Sequence, residues 1–205
     1  MPTLFARAAA GALALGLLTA TASCASVPGP VRAEGARTAK LGAGKVTVVR
    51  YVDFQCPFCR RAHAALKEAI GADRDKVRVV NKHVPLSIHR HAEIAARASI
   101  CAEKLGTPAQ SAAVDDRLYD TDLDAQDELA IVALVSNAGL PASDVAACMS
   151  APETKARIQA DSAEFDAVGG EGVPLAWVGS TKLDGAHPAE AYRAALDAAL
   201  ADARR

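Results

Sequence analysis

An α/β fold interrupted by an all-helical block is what this sequence predicts, and three observations predict it. Val46, Thr47, Val48, Val49, Tyr51 and Val52 run straight into a helical pattern; such β-branched and aromatic residues suit a buried, pleated strand. After a second strand, the periodicity is purely helical from about residue 90 to residue 168. Strand character then returns at Leu175, Ala176, Trp177 and Val178 before a last helix. One α/β unit is therefore split into 44–88 and 169–205, with 89–168 inserted as a helical subdomain.

The start of the chain reads as an export signal. Residues 1–23 carry Arg7, an alanine and leucine run through Leu18, and the small residues Ala20, Ala22 and Ser23. The run is too short and too rich in alanine for a membrane span, so no transmembrane helix is expected after processing. Cleavage after Ala22 fits ordinary secretion. Ala22-Ser23-Cys24 also resembles the end of a bacterial lipoprotein signal, with Cys24 as the acylated residue and Thr21 standing where leucine is usual. Both routes, and an uncleaved anchor, place the protein in the periplasm or cell envelope. Residues 24–43, rich in Ala, Gly, Pro and Ser, read as a flexible tether. With 205 residues, 51% of them hydrophobic, the chain can bury a sizeable core. Its net charge of −1 and the absence of a basic run leave no footprint for nucleic acid.

The chemistry is expected where the first strand meets the first helix of the α/β unit. Pro57 suits a first helical position, because its missing N–H would be unpaired there anyway. Ala62, Ala65, Leu66, Ala69 and Ile70 then repeat on one face, and Gly71 is a natural stop. Cys56 sits at the mouth of that helix, where unpaired N–H groups and aligned peptide dipoles favour a negative charge. A thiolate is such a charge, and it is the nucleophile of disulfide exchange. Cys59, on the same turn, is placed to resolve the mixed disulfide.

A Cys-x-x-Cys also serves zinc, copper and structural bridges. Zinc would need a second ligand pair, and His89 and His91 are too close together for the usual spacing. A strand leading into Cys-Pro-x-Cys points instead to thiol redox chemistry. Of the five cysteines, acylation of Cys24 would leave an even number in a compartment where disulfides persist. Cys101 and Cys148 are then expected to pair structurally, with two buried free thiols as the alternative.

Val77, Val79, Val80 and Val84 mark a second strand, ended by Pro85 and expected to lie parallel to the first. In the insertion, Ile94, Ala98, Cys101 and Leu105 share a helix face that stops at Gly106, and Thr107-Pro108 opens the next helix. Leu129, Val132, Ala133 and Ser136 suggest a third helix, and Pro152 starts one through Ile158 and Phe165. Asp115, Asp116, Asp120, Asp122, Asp124 and Asp127 read as a solvated face and lack the spacing of a calcium loop. His63, His83, His89, His91 and His187 read as surface or capping residues. Gly179-Ser180 turns the last strand into Thr181-Lys182-Leu183, and Pro188 opens a helix with Tyr192, Leu196, Ala199 and Leu200 on its apolar face.

These residues resemble the DsbA-like thiol-disulfide oxidoreductases, a thioredoxin fold carrying a helical insertion. Asp53-Phe54-Gln55-Cys56-Pro57-Phe58-Cys59 is similar to that family's active-site run. Gly172-Val173-Pro174 is similar to its cis-proline loop, and Leu183-Asp184-Gly185-Ala186-His187-Pro188 to its closing turn. The resemblance implies a cis Val173–Pro174 bond against the cysteine pair, with Pro57, Phe58, Val173 and Pro174 binding substrate and tuning the redox poise. It implies a monomer without a cofactor or metal, acting on exported proteins that contain cysteines. A membrane partner of DsbB or VKOR type would reset it. Where that family often has a buried acid six residues before the first cysteine, this chain has Arg50, either pointing to solvent from an edge strand or taking an active role. Phe58 stands where some members have a histidine, and it cannot donate a hydrogen bond. The helix terminus alone is worth at most about 2 kcal/mol, or about 1.5 units of thiol acidity, so a weaker oxidant than DsbA is expected. A reductase or isomerase kept reduced by a membrane partner, or a metal-binding lipoprotein, are the alternatives.

Overall fold

The computed structural model describes residues 27–40 and 45–204. Helix α1 (Gly29–Ala39) comes first. Strand β1 (Val46–Val52), helix α2 (Pro57–Ile70) and strand β2 (Val77–His83) form a parallel β-α-β unit in the register Val46 to Val77 through Val52 to His83. The insertion holds α3 (Ala92–Leu105), α4 (Pro108–Asp120), a 3-10 turn Leu123–Ala125, α5 (Glu128–Ser136), α6 (Ala142–Ser150) and α7 (Pro152–Ala167). The hairpin of β3 (Leu175–Val178) and β4 (Thr181–Asp184) and helix α8 (Ala189–Asp202) close the unit. The sheet order is β2-β1-β3-β4, with β3 antiparallel to β1. This is the expected α/β fold with a helical insertion.

Strand β1 is buried along its whole length because both sheet faces are covered. Val46 and Val48 pack with Leu66, Tyr192, Leu196 and Leu200 under α2 and α8. Val49 and Tyr51 pack on the opposite face with Val31, Phe165 and Trp177. The hairpin needs Gly179, whose φ is +57°, and a Cβ there would stand 2.8 Å from the Cβ of Ala199.

The end of β1 runs into a third cluster. Val52, Phe54, Cys56 and Cys59 share it with α3, α4, α5 and α6, through residues such as Ala98, Val114, Leu118, Ile131 and Met149. Cys101 on α3 and Cys148 on α6 are joined there by a disulfide, with Cα atoms 5.8 Å apart and 47 residues between them in sequence. Closing a loop of that size removes about 4 kcal/mol of unfolded-state entropy in the chain-entropy model.

Several expectations are corrected. Much of the proposed tether is ordered structure: α1 starts behind Pro28 and buries Val31, Glu34 and Thr38. Their spacing forms one helix face, and Glu34 meets Arg78 at 3.0 Å and Lys82 at 3.8 Å. The acidic run is not uniformly solvated either. Asp115 is buried and accepts from Ser99 Oγ at 2.6 Å, while Asp122 and Asp127 cap helical turns. On α5 the inward residues are Ile131, Val132 and Val135, and Leu129 is exposed. Residues 1–23 and Cys24 lie outside the described residues. Among the described residues no helix is long and apolar enough to cross a membrane.

Candidate active site

The site starts at the turn between β1 and α2. Cys56 N–H donates to Asp53 O at 3.2 Å, and Cys56 O accepts from Arg60 N at 3.0 Å as the first helical bond. Cys56 is thus the N-cap residue in extended conformation, with Pro57 behind it in the first turn. Cys59 lies further along that turn and is buried. Both sulfurs are thiols in this structure.

Geometry separates the two thiols. The Cys59 thiol donates to Cys56, and the backbone N–H groups of Cys59 and Phe58 also face the Cys56 sulfur. Together they outweigh burial and the nearby Asp53 charge, and the Cys56 thiol is lowered to about 6. That is further than a helix terminus alone was expected to reach, because direct hydrogen bonds to the thiolate add to the dipole. Cys59 moves upward for the reciprocal reason: its proton is held by Cys56, and burial adds to that. Only the Asp53 N–H, 3.5 Å from Cys59 Sγ, acts in the opposite sense.

The loop before β3 faces this pair. The Val173–Pro174 bond is cis, and Val173 O lies 3.8 Å from Cys56 Sγ. Pro174 O accepts from Gly185 N at 2.9 Å, tying the loop to the turn after β4. Phe58 is 52% exposed on the surface beside Cys56, and the Arg61 guanidinium covers its ring at 4.5 Å. Cys56, Cys59, Phe58, Val173 and Pro174 therefore meet in one place. Cys101 and Cys148 lie apart, as the brace between α3 and α6.

Sequence reasoning did not assign the partners around the turn. The Asp53 carboxylate has no exposed surface and accepts from Gln55 N at 2.8 Å, Leu86 N at 2.8 Å and His89 Nδ1 at 2.7 Å. Gln55 donates to Asp124 Oδ1 at 2.9 Å and accepts from His91 N, so one side chain joins the insertion to the loop after β2. The run Asp53 to Cys59 had been noted, but its long-range partners fall between residues 86 and 124 and carry no local signal.

A second polar cluster lies beneath the cysteines. Arg50 does not face solvent from an edge: β1 is central, and Arg50 is buried on the α2 side. Its Nε donates to Asn81 Oδ1 at 2.6 Å, and its Nη2 stands 3.9 Å from Asp115 Oδ2. Asn81 also donates to Asp115. Arg50 Nη1 lies 2.9 Å from His63 Nδ1. A guanidinium can only donate, so Nδ1 accepts and Nε2–H donates to Asp116, 2.7 Å away. Burial and the Arg50 charge lower His63 to about 4. Burial raises Asp115 to about 6 against the pull of Arg50, Ser99 and Asn81. His83, also expected at the surface, is fully buried, and burial lowers it to about 3. Among the described residues no three His, Cys, Asp or Glu side chains are grouped to hold a metal ion.

This arrangement can carry out thiol-disulfide exchange: an acidic thiol at a helix start, a buried partner that keeps its proton, and backbone acceptors facing the sulfur. A family model described as thioredoxin matches residues 41–198. The chain is 32% identical over 163 residues to the Na(+)/H(+) antiporter NhaA 3 of Salinispora tropica, covering 78% of this chain and 24% of that protein. It thus spans about a quarter of the length of that curated relative. The crystal structure of a thioredoxin-like oxidoreductase from Silicibacter pomeroyi superposes with a TM-score of 0.63 at 28% identity, over 77% of this chain and 87% of the other. The thiol-disulfide exchange protein alpha-DsbA2 of Wolbachia pipientis gives a TM-score of 0.65 at 19% identity, over 75% and 81%. The family match runs from just ahead of β1 into α8 and takes in both cysteines, the cis-proline loop and the insertion; the chain belongs to the thioredoxin family, as a thiol-disulfide oxidoreductase of DsbA-like fold.

Proposed function

We propose that the protein is exported and donates the Cys56–Cys59 disulfide to folding substrate proteins. The observation that carries this reading is the difference between the two thiols, with Cys56 lowered to about 6 and Cys59 raised. A substrate thiolate attacks Cys56 Sγ of the disulfide, forming a mixed disulfide and releasing Cys59, which takes up a proton. A second substrate thiolate then attacks the substrate sulfur of that mixed disulfide and expels Cys56 as a thiolate. The substrate gains one disulfide and the protein gains two electrons, which a membrane oxidant of DsbB or VKOR type removes. A low-pKa leaving thiol speeds the second step and stabilises the reduced product, so it favours donation. Val173 and Pro174 offer backbone groups beside Cys56 to an extended substrate segment, and Phe58 offers an apolar surface. The signal-like residues 1–23, with Cys24 as the acylation position, support export.

Equilibration with glutathione tests the direction. The expected potential lies between those of thioredoxin and DsbA, about −270 and −120 mV. A value at or below that of thioredoxin overturns donation and makes the protein a reductase.

A further inference from the structure

Asp53 occupies an unusual place relative to the two sulfurs. Its backbone holds both cysteines, with N–H donated to Cys59 Sγ at 3.5 Å and C=O accepting from Cys56 N at 3.2 Å. Its side chain works against them, because the carboxylate charge opposes ionisation of either thiol. A carboxylate with no solvent exposure needs compensation from protein groups. Two of its hydrogen bonds come from neutral backbone N–H groups, of Gln55 and Leu86. The third comes from His89 Nδ1 at 2.7 Å, the one contact among them from a side chain that can carry positive charge. His89 is 18% exposed, so it joins the buried charge to solvent.

We propose that Asp53 and His89 form a positioning pair that sets the redox potential of the Cys56–Cys59 couple from outside the Cys-x-x-Cys segment. The Asp53 carboxylate disfavours the thiolate of the reduced form and holds the potential down. His89 draws the field of that carboxylate away from the sulfurs and holds the potential up. A like charge within about 4–6 Å moves an ionisation by roughly 1–3 units, and each unit is a factor of ten in thiolate stability. The pair therefore gives the chain a means of tuning its oxidising strength even though Phe58 supplies no hydrogen bond between the cysteines.

The proposal rests on the thiol-exchange reading of the site, and its test is the change between variants rather than the absolute potential. The measurement is the glutathione equilibrium constant at pH 7, together with the iodoacetamide rate of Cys56. His89→Ala removes a partly exposed side chain. It is expected to make the protein less oxidising by about three- to tenfold and to slow Cys56 alkylation. His89→Asn, which keeps an N–H donor near the position of Nδ1, is expected to recover part of that loss. Asp53→Asn is expected to shift the equilibrium about tenfold the other way. In the Asp53→Asn background, removing His89 should change it less than twofold. Loosening of the turn by either change would raise the Cys56 pKa in both variants, so opposite signs separate tuning from damage. Should Asp53→Asn fail to fold, His89→Ala and His89→Asn decide alone. An unchanged or more oxidising His89→Ala protein overturns the proposal while leaving the wild-type reading untouched; a wild-type protein that does not exchange with glutathione overturns that reading instead.

Discussion

Cys59→Ala protein is expected to accumulate mixed disulfides with cysteine-containing substrates through Cys56, whereas Cys56→Ala protein forms essentially none. The asymmetry follows from the site. With its thiol lowered to about 6, Cys56 is mostly thiolate at neutral pH, while Cys59 is buried and held in the thiol form. The difference in thiolate population alone is worth at least about a hundredfold in attack rate, and burial of Cys59 adds a steric barrier. Non-reducing electrophoresis of the two variants after incubation with an oxidised or reduced unfolded substrate reads this directly. Equal trapping by both variants would mean that the sulfurs are interchangeable.

Arg50→Met is expected to destabilise the protein by about 4 kcal/mol at pH 8, because it leaves Asp115 as a buried carboxylate without its cation. Arg50 and Asp115 are both buried, 3.9 Å apart, with Asn81 bonded to each. The sign of the pH dependence follows from Asp115, whose folded pKa of about 6 lies above the model value of 3.8. The folded state thus binds this proton more tightly than the unfolded chain, and the wild-type contribution of Asp115 becomes less favourable as pH rises from about 4 to about 6. Without Arg50 the carboxyl moves higher still. At pH 5 it takes up a proton and the buried charge disappears, so the loss should be smaller at pH 5 than at pH 8. The double variant Arg50→Met with Asp115→Leu removes both charges and should regain most of the stability. Urea midpoints at the two pH values check all three statements. A neutral Arg50→Met at pH 8 would show that Arg50 bears no charge-balancing role.

What was legible in the sequence is what is local. β1, α2, the β3-β4 hairpin and α8 follow from side-chain period and from Pro57, Gly71, Gly179 and Pro188 as punctuation. The two cysteines of the reactive pair could be singled out because a strand and a proline fix their place at a helix start. What escaped depends on distant parts of the chain. Composition made residues 24–43 look like a linker, but Val31 and Glu34 find their partners on β1 and β2. Arg50 looked like an edge residue because strand order is not written in a strand; β1 becomes central only when β3 pairs with it across the whole insertion. Asp115 looked like its acidic neighbours, yet helix α4 turns it inward to Ser99 and Asn81 while Asp116 meets Lys67 and His63 near the surface. The hub at Asp53 has the same origin, since His89 reaches it from a loop 36 residues later.

The central claim is that the backbone and the Cys59 thiol around one sulfur make Cys56 unusually acidic, and its most direct measure is the pH profile of Cys56 alkylation in the reduced protein. The rate is expected to rise with a midpoint near pH 6. A midpoint near 8.5, the value of an ordinary cysteine, would contradict it.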